Sequence, residues 1–121
     1  MTDSPDNALP PTAQVNFLGQ FARDISFEAP GVAPPGDGQL MPPHFEFETR
    51  ARKIGEDVYE TELLMRGECK LNDKPVYLVE LNYVGVFGVK DATPEQLQAV
   101  LLLQAPSLLF PQARTIIANV I

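Results

Sequence analysis

A segment near the end of the chain, residues 93–121, combines a helix start with apolar residues on nearly every side. Thr93, Pro94 and Gln96 are typical of a helix start, with a capping threonine, a proline at the first helical position and a glutamine three residues after the cap. The apolar residues that follow are Leu97, Ala99, Val100, Leu101, Leu102, Leu103 and Ala105. A helix on one face of a sheet needs only a single apolar stripe, so we expect further subunits to cover the other side of this helix.

The same segment contains two prolines that interrupt the helical pattern. Ala105 precedes Pro106, and a residue before proline is disfavoured in the α conformation, so we expect the first helix to end there. Ser107 is then a candidate cap for a second segment that reaches Ile121. Pro111 would lie in the first turn of this second segment, where a missing N–H group is tolerated.

Length and charge restrict the possible partners. The chain has 121 residues, enough for one domain, and carries 16 acidic against 9 basic residues for a net charge of −7. This balance argues against nucleic acid and anionic membranes as partners. The single cysteine, Cys69, cannot form an internal disulfide, the N-terminus lacks a basic leader, and no apolar run approaches the length of a membrane span. We therefore predict a cytoplasmic protein without direct membrane insertion.

The first third of the chain contains a tail, a strand and a loop. Residues 1–12 are rich in proline and aspartate and predict a disordered tail, so the single domain occupies 13–121. Period-two alternation over 14–28 predicts a long strand, with a possible bend at Gly19. Its odd face carries Val15, Phe17, Phe21, Ile25 and Phe27. Residues 29–43 are rich in proline and glycine and predict a functional or mobile loop that includes Leu40 and Met41.

Three further alternating segments, 44–53, 58–71 and 76–89, are separated by short turns, which require antiparallel pairing. The predicted fold is therefore α+β, a four-stranded antiparallel sheet with a long, proline-broken C-terminal helical segment on one face. Apolar and aromatic residues on the odd positions can face this helix. The opposite face would carry acids toward water: Asp24, Glu28, Glu46, Glu48, Glu60, Glu62 and Glu80.

Few residues of this chain are suited to catalysis or metal binding. His44 is the single histidine and follows two prolines at a strand start, which favours a surface or capping role. Cys69 lies on the apolar side of a central strand, where a thiol behaves as a small hydrophobic group. One cysteine and one histidine do not make a zinc site, and no glycine-rich phosphate loop occurs, so we expect no metal and no cofactor. A small-ligand enzyme such as a thioester hydrolase stays open as an alternative, with His44 as its base.

Four segments resemble the SecB family of bacterial protein-export chaperones. Residues 23–30 read Arg-Asp-Ile-Ser-Phe-Glu-Ala-Pro and are similar to the first-strand signature of that family. Residues 57–60, Asp-Val-Tyr-Glu, and residues 77–80, Tyr-Leu-Val-Glu, resemble its third and fourth strands. Residues 105–114 resemble its helix signature, a proline followed by Leu-Phe-Pro and Ala-Arg. The matches run in order over residues 14–121 and agree with the fold predicted from alternation.

The resemblance implies an ATP-independent holdase that keeps preproteins unfolded and delivers them to the SecA motor. It also implies a homotetramer, a dimer of dimers, whose helices lie between subunits, and we assign Leu97, Val100, Leu101 and Leu103 to this interface. Family members continue into a loop, a second helix and a mobile tail, so we expect this chain to lack those parts. A SecB-like chaperone dedicated to one partner, such as an antitoxin, is a further alternative.

The resemblance also implies two binding surfaces on opposite faces of the sheet. Positions that match the SecA-docking face of the family are Asp24, Glu28, Leu78 and Glu80. Leu78 is an apolar residue within an acidic face, which suits a docking patch and equally suits an incidental exposed leucine. The client-binding groove is assigned to Phe17, Phe21, Leu40, Met41, Phe45, Phe47, Tyr83 and Phe87.

Overall fold

The computed structural model describes residues 14–29, 44–71 and 73–120. Strand β1 spans Gln14–Glu28, β2 spans His44–Gly55, β3 spans Val58–Leu71 and β4 spans Lys74–Lys90. One helix of 27 residues, α1, follows over Pro94–Val120. The predicted disordered tail and most of the predicted proline-rich loop, including Leu40 and Met41, lie outside the described residues.

The four strands form one antiparallel sheet in the order β1-β4-β3-β2. Short turns join β2 to β3 and β3 to β4, as the sequence predicts, and the long connection after β1 allows it to pair with β4 at the opposite edge. Asp57, Asp73 and Asp91 adopt positive φ angles of 54°, 65° and 58° at the turns and at the exit from β4. Aspartate tolerates this conformation better than most residues do. The predicted α+β fold is therefore confirmed.

Burial in β3 and β4 follows the predicted odd positions, with Glu60 and Val84 as buried even positions. Their helix face is the side that packs on α1, and the side opposite is called the outer face below. One core cluster contains Leu63, Met65, Val79, Leu81, Tyr83, Leu109, Ala113 and Ile117, and a second contains Phe87, Val89, Val100, Leu101 and Ala105. Gly85 allows close contact between sheet and helix, since a Cβ at this position would lie 2.7 Å from Leu109 Cδ2.

Helix α1 begins as predicted and differs from the prediction at its first internal proline. The Thr93 side chain accepts a hydrogen bond from the Gln96 backbone, and the Gln96 side chain accepts one from the Thr93 backbone, which forms the expected capping box. Residues Val100–Gln104 then form a π-helical turn, and the helix continues through Pro106. The prediction that the first helix ends at Ala105 is therefore wrong. A change from α-helical to π-helical hydrogen bonds accommodates Pro106 within one continuous helix.

Ser107 does not cap a second helix. Its hydroxyl donates to the Leu103 carbonyl one turn earlier, at 3.2 Å, inside the continuous helix. Thr115 makes the same kind of bond to the Pro111 carbonyl at 3.0 Å. Both hydroxyls therefore bond back to the helix, a pattern typical of serine and threonine within helices.

By length and composition alone, α1 could cross a membrane, and it is the one helix of this kind within 14–29, 44–71 and 73–120. Core helices of globular proteins also have this length and composition. Here the face of α1 formed by Ala105, Leu109, Ala113 and Ile117 is buried against the sheet. The helix therefore has a packing partner within its own chain.

Candidate binding surfaces

The strand register brings the four residues of the predicted docking face together. On β1 and β4, Glu28 lies opposite Leu78, and Ser26 lies opposite Glu80. Asp24 lies one step further along β1, opposite Asn82, so its side chain shares the outer face with the other acids. Residues opposite each other on antiparallel strands have Cβ atoms about 5 Å apart, so these residues form one patch, called the acidic patch below (Asp24, Glu28, Leu78 and Glu80).

Other charged side chains border the acidic patch on the outer face. Arg66 Nε lies 4.0 Å from a Glu80 carboxylate oxygen, and both side chains are about half exposed. On β2, Arg50 and Glu48 form an exposed pair at 3.0 Å. The depression across this face is lined by Asp24, Ser26, Glu46, Glu48, Arg50, Leu64, Arg66, Glu80 and Asn82, among others. The outer face is thus strongly charged and of mixed sign, and Asp24 and Glu28 on β1 form no ion pair with another described residue.

Two irregularities in β1 change which face some of its residues occupy. The register shifts between Phe17 and Gly19, and again between Ala22 and Asp24, so each shift inserts one extra residue. Between the two shifts the odd positions face outward, and Phe21 pairs with Val84 on the outer face. The prediction that Phe21 shares the helix face with Phe17 and Ile25 is therefore wrong, because strict alternation does not survive a β-bulge.

A buried carboxylate at Glu60 pairs with arginines from both edge strands. Arg23 of β1 donates to both Glu60 carboxylate oxygens at 2.8 and 2.9 Å and to Glu62 at 2.9 Å. Arg52 of β2 donates to Glu60 at 2.9 Å. Glu60 is only 3% exposed, so the prediction that it faces water is wrong.

These contacts shift the pKa of the Glu60 carboxyl. Hydrogen bonds from Arg23 lower the pKa of Glu60 below its ordinary value, and Arg52 lowers it further, although burial acts in the opposite direction. Glu62 is half-buried and accepts a bond from the Asn82 amide nitrogen at 2.8 Å. The buried Asn82 side-chain oxygen has no partner among the described residues. The ion pairs thus keep Glu60 charged inside the sheet.

Aromatic side chains are exposed along both edges of the helix face. On β2, Phe47 is 51% exposed, and its ring centroid lies 5.4 Å from that of Phe110 on α1. Phe45 is partly buried beside it. On β1, Phe17 is exposed and lies 5.3 Å from Phe87 between ring centroids. These exposed rings flank the helix and leave apolar surface open to solvent.

Two residues assigned to the client-binding groove belong to the core. Tyr83 and Phe87 are each 3% exposed and pack in the two clusters under α1. Burial raises the pKa of the Tyr83 hydroxyl above its ordinary value. Their assignment to the groove is therefore wrong, because the central strand that carries them is covered by the helix. Phe17, Phe45 and Phe47 remain candidates.

The residues of the predicted oligomer interface are likewise part buried in the core and part exposed. Val100 and Leu101 are buried in the chain's own core, and Leu97 packs partly against it, so Val100 and Leu101 cannot contact another subunit in this packing. Leu103, by contrast, is 70% exposed, and Leu108 is 52% exposed. Leu108 is not among the predicted interface residues, because the sequence predicts that the first helix ends at Ala105.

His44 and Cys69, the candidates for catalysis, form no catalytic arrangement with other described residues. The His44 imidazole is exposed, and its Nε2 lies 3.8 Å from a Glu46 carboxylate oxygen. Cys69 is buried, as predicted. Across the parts of the chain that the structure describes, no group of three potential metal ligands comes together. The described residues instead present exposed aromatic side chains on one face of the sheet and an acidic patch on the other.

Comparison with known proteins identifies the family. Residues 8–121 match the family described as preprotein translocase subunit SecB, and the chain belongs to this family. It is 34% identical to the protein-export protein SecB of Nitrobacter hamburgensis over 113 residues, which are 92% of this chain and 71% of that protein. Identity to the protein-export protein SecB of Maricaulis maris is also 34%, over 98% of this chain and 73% of that protein. The chain is therefore a protein-export chaperone by family and not an enzyme.

A solved structure supports the fold independently. The SecB-like chaperone of Mycobacterium tuberculosis, in complex with a ChAD peptide from an antitoxin, superposes with a TM-score of 0.74. The superposition covers 90% of this chain and 80% of that chain at 16% sequence identity. The arrangement of four strands and a long helix is thus shared with a chaperone of distant sequence.

Proposed function

We propose that this protein is an ATP-independent holdase that binds unfolded preproteins in the cytoplasm and delivers them to SecA. The observation that carries the proposal is the placement of the acidic patch and the exposed aromatic edges on opposite faces of one sheet. A chaperone with this arrangement can bind its client and the motor at the same time. Neither binding event requires a nucleotide.

Client binding is proposed to use the exposed aromatic rings beside α1. Phe47 with Phe110, and Phe17 on the opposite edge, present apolar area that an unfolded segment can cover. Burial of apolar surface contributes about 25 cal/mol per Å², without dependence on client sequence. Several such sites on one assembly would add avidity, since a long client can contact more than one of them.

SecA docking is proposed to use the acidic patch. Glu28 and Glu80 flank Leu78, and the patch lies on β1 and β4 away from the helix. A basic surface with an apolar centre would match it in charge and shape. The net charge of −7 favours encounter with such a partner.

Assembly into a homotetramer, a dimer of dimers, is the third part of the proposal. Leu103 and Leu108 expose apolar surface on the outer side of α1, and a neighbouring subunit would remove it from water. β1 is an edge strand with exposed apolar residues on both faces, including Leu18 and Ile25. Edges of this kind are normally covered in native proteins.

The test separates the two faces by substitution. Leu78→Arg and Glu80→Lys are expected to weaken SecA binding by about tenfold or more, because they place positive charge in the acidic patch. Phe47→Ser is expected to reduce the protection of an unfolded client against aggregation while SecA binding is retained. Glu56→Lys, an exposed turn residue with the same change of charge, serves as the control. Equal loss of both activities in the variants of either face would contradict the proposal.

A chaperone dedicated to one partner is the second candidate, because the solved SecB-like chaperone of similar fold carries an antitoxin peptide. The same holding assay distinguishes the two functions when several unrelated unfolded clients are compared. Protection of all of them supports general export. Protection of only one would favour the dedicated partner.

A further inference from the structure

The direction in which β1 presents its acids depends on an extra residue in that strand. Side chains alternate between faces along a strand, so one inserted residue reverses every position beyond it. The second irregularity of β1, between Ala22 and Asp24, makes Arg23 the extra residue. Because of it, Asp24 and Glu28 face outward beside β4, whereas Ile25 and Phe27 face the helix side.

Burial of apolar residues contributes only weakly to which face of the sheet the residues of β1 after Arg23 occupy. Ile25 and Phe27 are 40% and 42% exposed although they lie on the helix face. The ring of Phe27 contacts Tyr77 with centroids 5.9 Å apart, and α1 makes few contacts with this edge strand. Moving these side chains to the outer face would therefore expose less additional apolar surface than the same shift in β3 or β4.

Ion pairs hold the extra residue in place. Arg23 reaches across β4 and contacts Glu60 and Glu62 on β3. Its guanidinium carbon also lies 5.7 Å from the centre of the Phe21 ring. Arg52 donates to the same Glu60 oxygen, Oε2, that Arg23 Nη1 contacts. The Glu60 and Glu62 carboxylates lie on the central strand β3, on the outer face of the sheet. Arg23 can therefore reach them only when its side chain also lies on the outer face.

We propose that Arg23 and Glu60 are the positioning residues of the acidic patch, because their ion pair fixes the β1 bulge and so directs Asp24 and Glu28 to the outer face. This inference rests on the proposed SecA docking only for its functional consequence. The structural part concerns which residues of β1 and β4 lie opposite each other. Arg23 and Glu60 act through Asp24 and Glu28, and Arg23 lies at the border of the patch.

The structural part is tested by nuclear magnetic resonance on the full chain. Cross-strand contacts between Glu28 and Leu78, and between Ser26 and Glu80, are expected in the wild type and lost or shifted by one residue in Arg23→Gln and Glu60→Gln. Contacts between Met65 and Leu81, on β3 and β4, are expected to remain as evidence of folding. The matched control is Arg50→Gln, which removes an exposed ion pair of the same face and should leave all these contacts unchanged.

If Arg23→Gln does not fold, Arg23→Lys replaces it, since lysine keeps the charge and loses the two-pronged contact with Glu60. A partial loss of the same two contacts is then expected. Persistence of the wild-type register in the folded variants would overturn the inference, because the apolar pattern alone would then determine the register.

SecA binding by the same variants separates this inference from the proposed function. An affinity about tenfold weaker, together with a shifted register, supports both. In a double-mutant cycle, Asp24→Asn should then cost little additional affinity in the Glu60→Gln background. A shifted register with unchanged SecA affinity would support the positioning role and overturn the docking proposal. An unchanged register with weaker binding would overturn the positioning role and leave the docking proposal intact.

Discussion

At the scale of single residues, Glu60 differs from the other acids of the outer face in its burial and its ion pairs. Arg23 and Arg52 hydrogen-bond a carboxylate that is almost fully buried, whereas Glu80 has one distant partner and is half exposed. Buried charges are tolerated when they are paired, and removal of one partner is costly. Glu60 is therefore a structural acid, and the acids available to a partner protein are exposed ones such as Glu80.

The first prediction concerns the pH dependence of folding. Because the pKa of Glu60 in the folded state is lowered from 4.5, the ionised carboxylate stabilises the fold above that value. The contribution is lost as the pH falls through the lower folded-state pKa. Glu60→Gln should therefore reduce the free energy of unfolding at pH 7 and reduce it less at pH 3. Urea denaturation across this range measures the difference.

Glu46→Gln provides the control for this prediction, since Glu46 is an exposed acid of the same face with no arginine contact among the described ion pairs. Its effect on stability should be small at both ends of the pH range. A wild-type advantage over Glu60→Gln that stays constant from pH 7 to pH 3 would contradict the assignment.

At the scale of elements, β3 and β4 could be predicted from alternation, whereas β1 could not. The odd positions of the central strands are buried in a regular alternation under the helix, and Glu60 and Val84 are the buried even positions. β1 contains two inserted residues, and each reverses the phase. Arg23 interrupts the odd apolar series and was the available signal, but its carboxylate partners lie 37 and 39 residues away and cannot be identified from local pattern.

The two candidate binding surfaces could also be predicted only in part from alternation. The β4 half of the acidic patch follows from alternation alone, because Leu78 and Glu80 share a face in any regular strand. Asp24 and Glu28 join them only because the two register shifts in β1 together restore the original phase. Exposure of the aromatic residues could not be predicted in that way. Tyr83 and Phe87 are buried and Phe47 is exposed because the helix lies over the central strands and leaves the edges open, and its course depends on packing against the whole sheet.

A buried hydrogen bond between α1 and the sheet depends on the π-helical turn. Ala105 donates its backbone N–H to the Val100 carbonyl, and Pro106 has no N–H group, so neither can bond the Leu101 carbonyl. The Thr61 hydroxyl donates to that carbonyl instead, at 2.8 Å, from a fully buried position on β3. A proline that would otherwise leave a buried carbonyl unpaired is thus accommodated by a side chain of the sheet.

The second prediction tests this hydrogen bond. Thr61→Val keeps the shape and removes the hydroxyl, so the free energy of unfolding should fall by about 1–3 kcal/mol, the cost of leaving a buried carbonyl unpaired. Urea denaturation measures the change. Thr61→Ser keeps the hydroxyl and loses one methyl group, and it should be the more stable of the two. Greater stability in Thr61→Val would show that the hydrogen bond does not support the helix.

At the scale of the whole molecule, the chain offers more apolar surface than a single folded copy requires. Exposed apolar residues occur on the outer side of α1 and along β1, and they include Leu103, Leu108, Leu18 and Phe21. Large exposed apolar patches on a protein surface mark sites of interaction. In the proposed assembly, subunit contacts cover the helix, while the aromatic edges stay available to clients.

The last prediction separates assembly from folding. Leu103→Glu places a charge on the most exposed of the large apolar residues of α1, and an unpaired charge in an apolar interface is strongly unfavourable. The variant should form smaller particles than the wild type in light scattering, while its circular dichroism stays unchanged because Leu103 contributes little to the core. Gln98→Glu adds the same charge at an exposed helix position and serves as the control. A Leu103→Glu particle with the wild-type mass would exclude this side of the helix as the subunit interface, and the exposed apolar face of β1 would become the surface to substitute next.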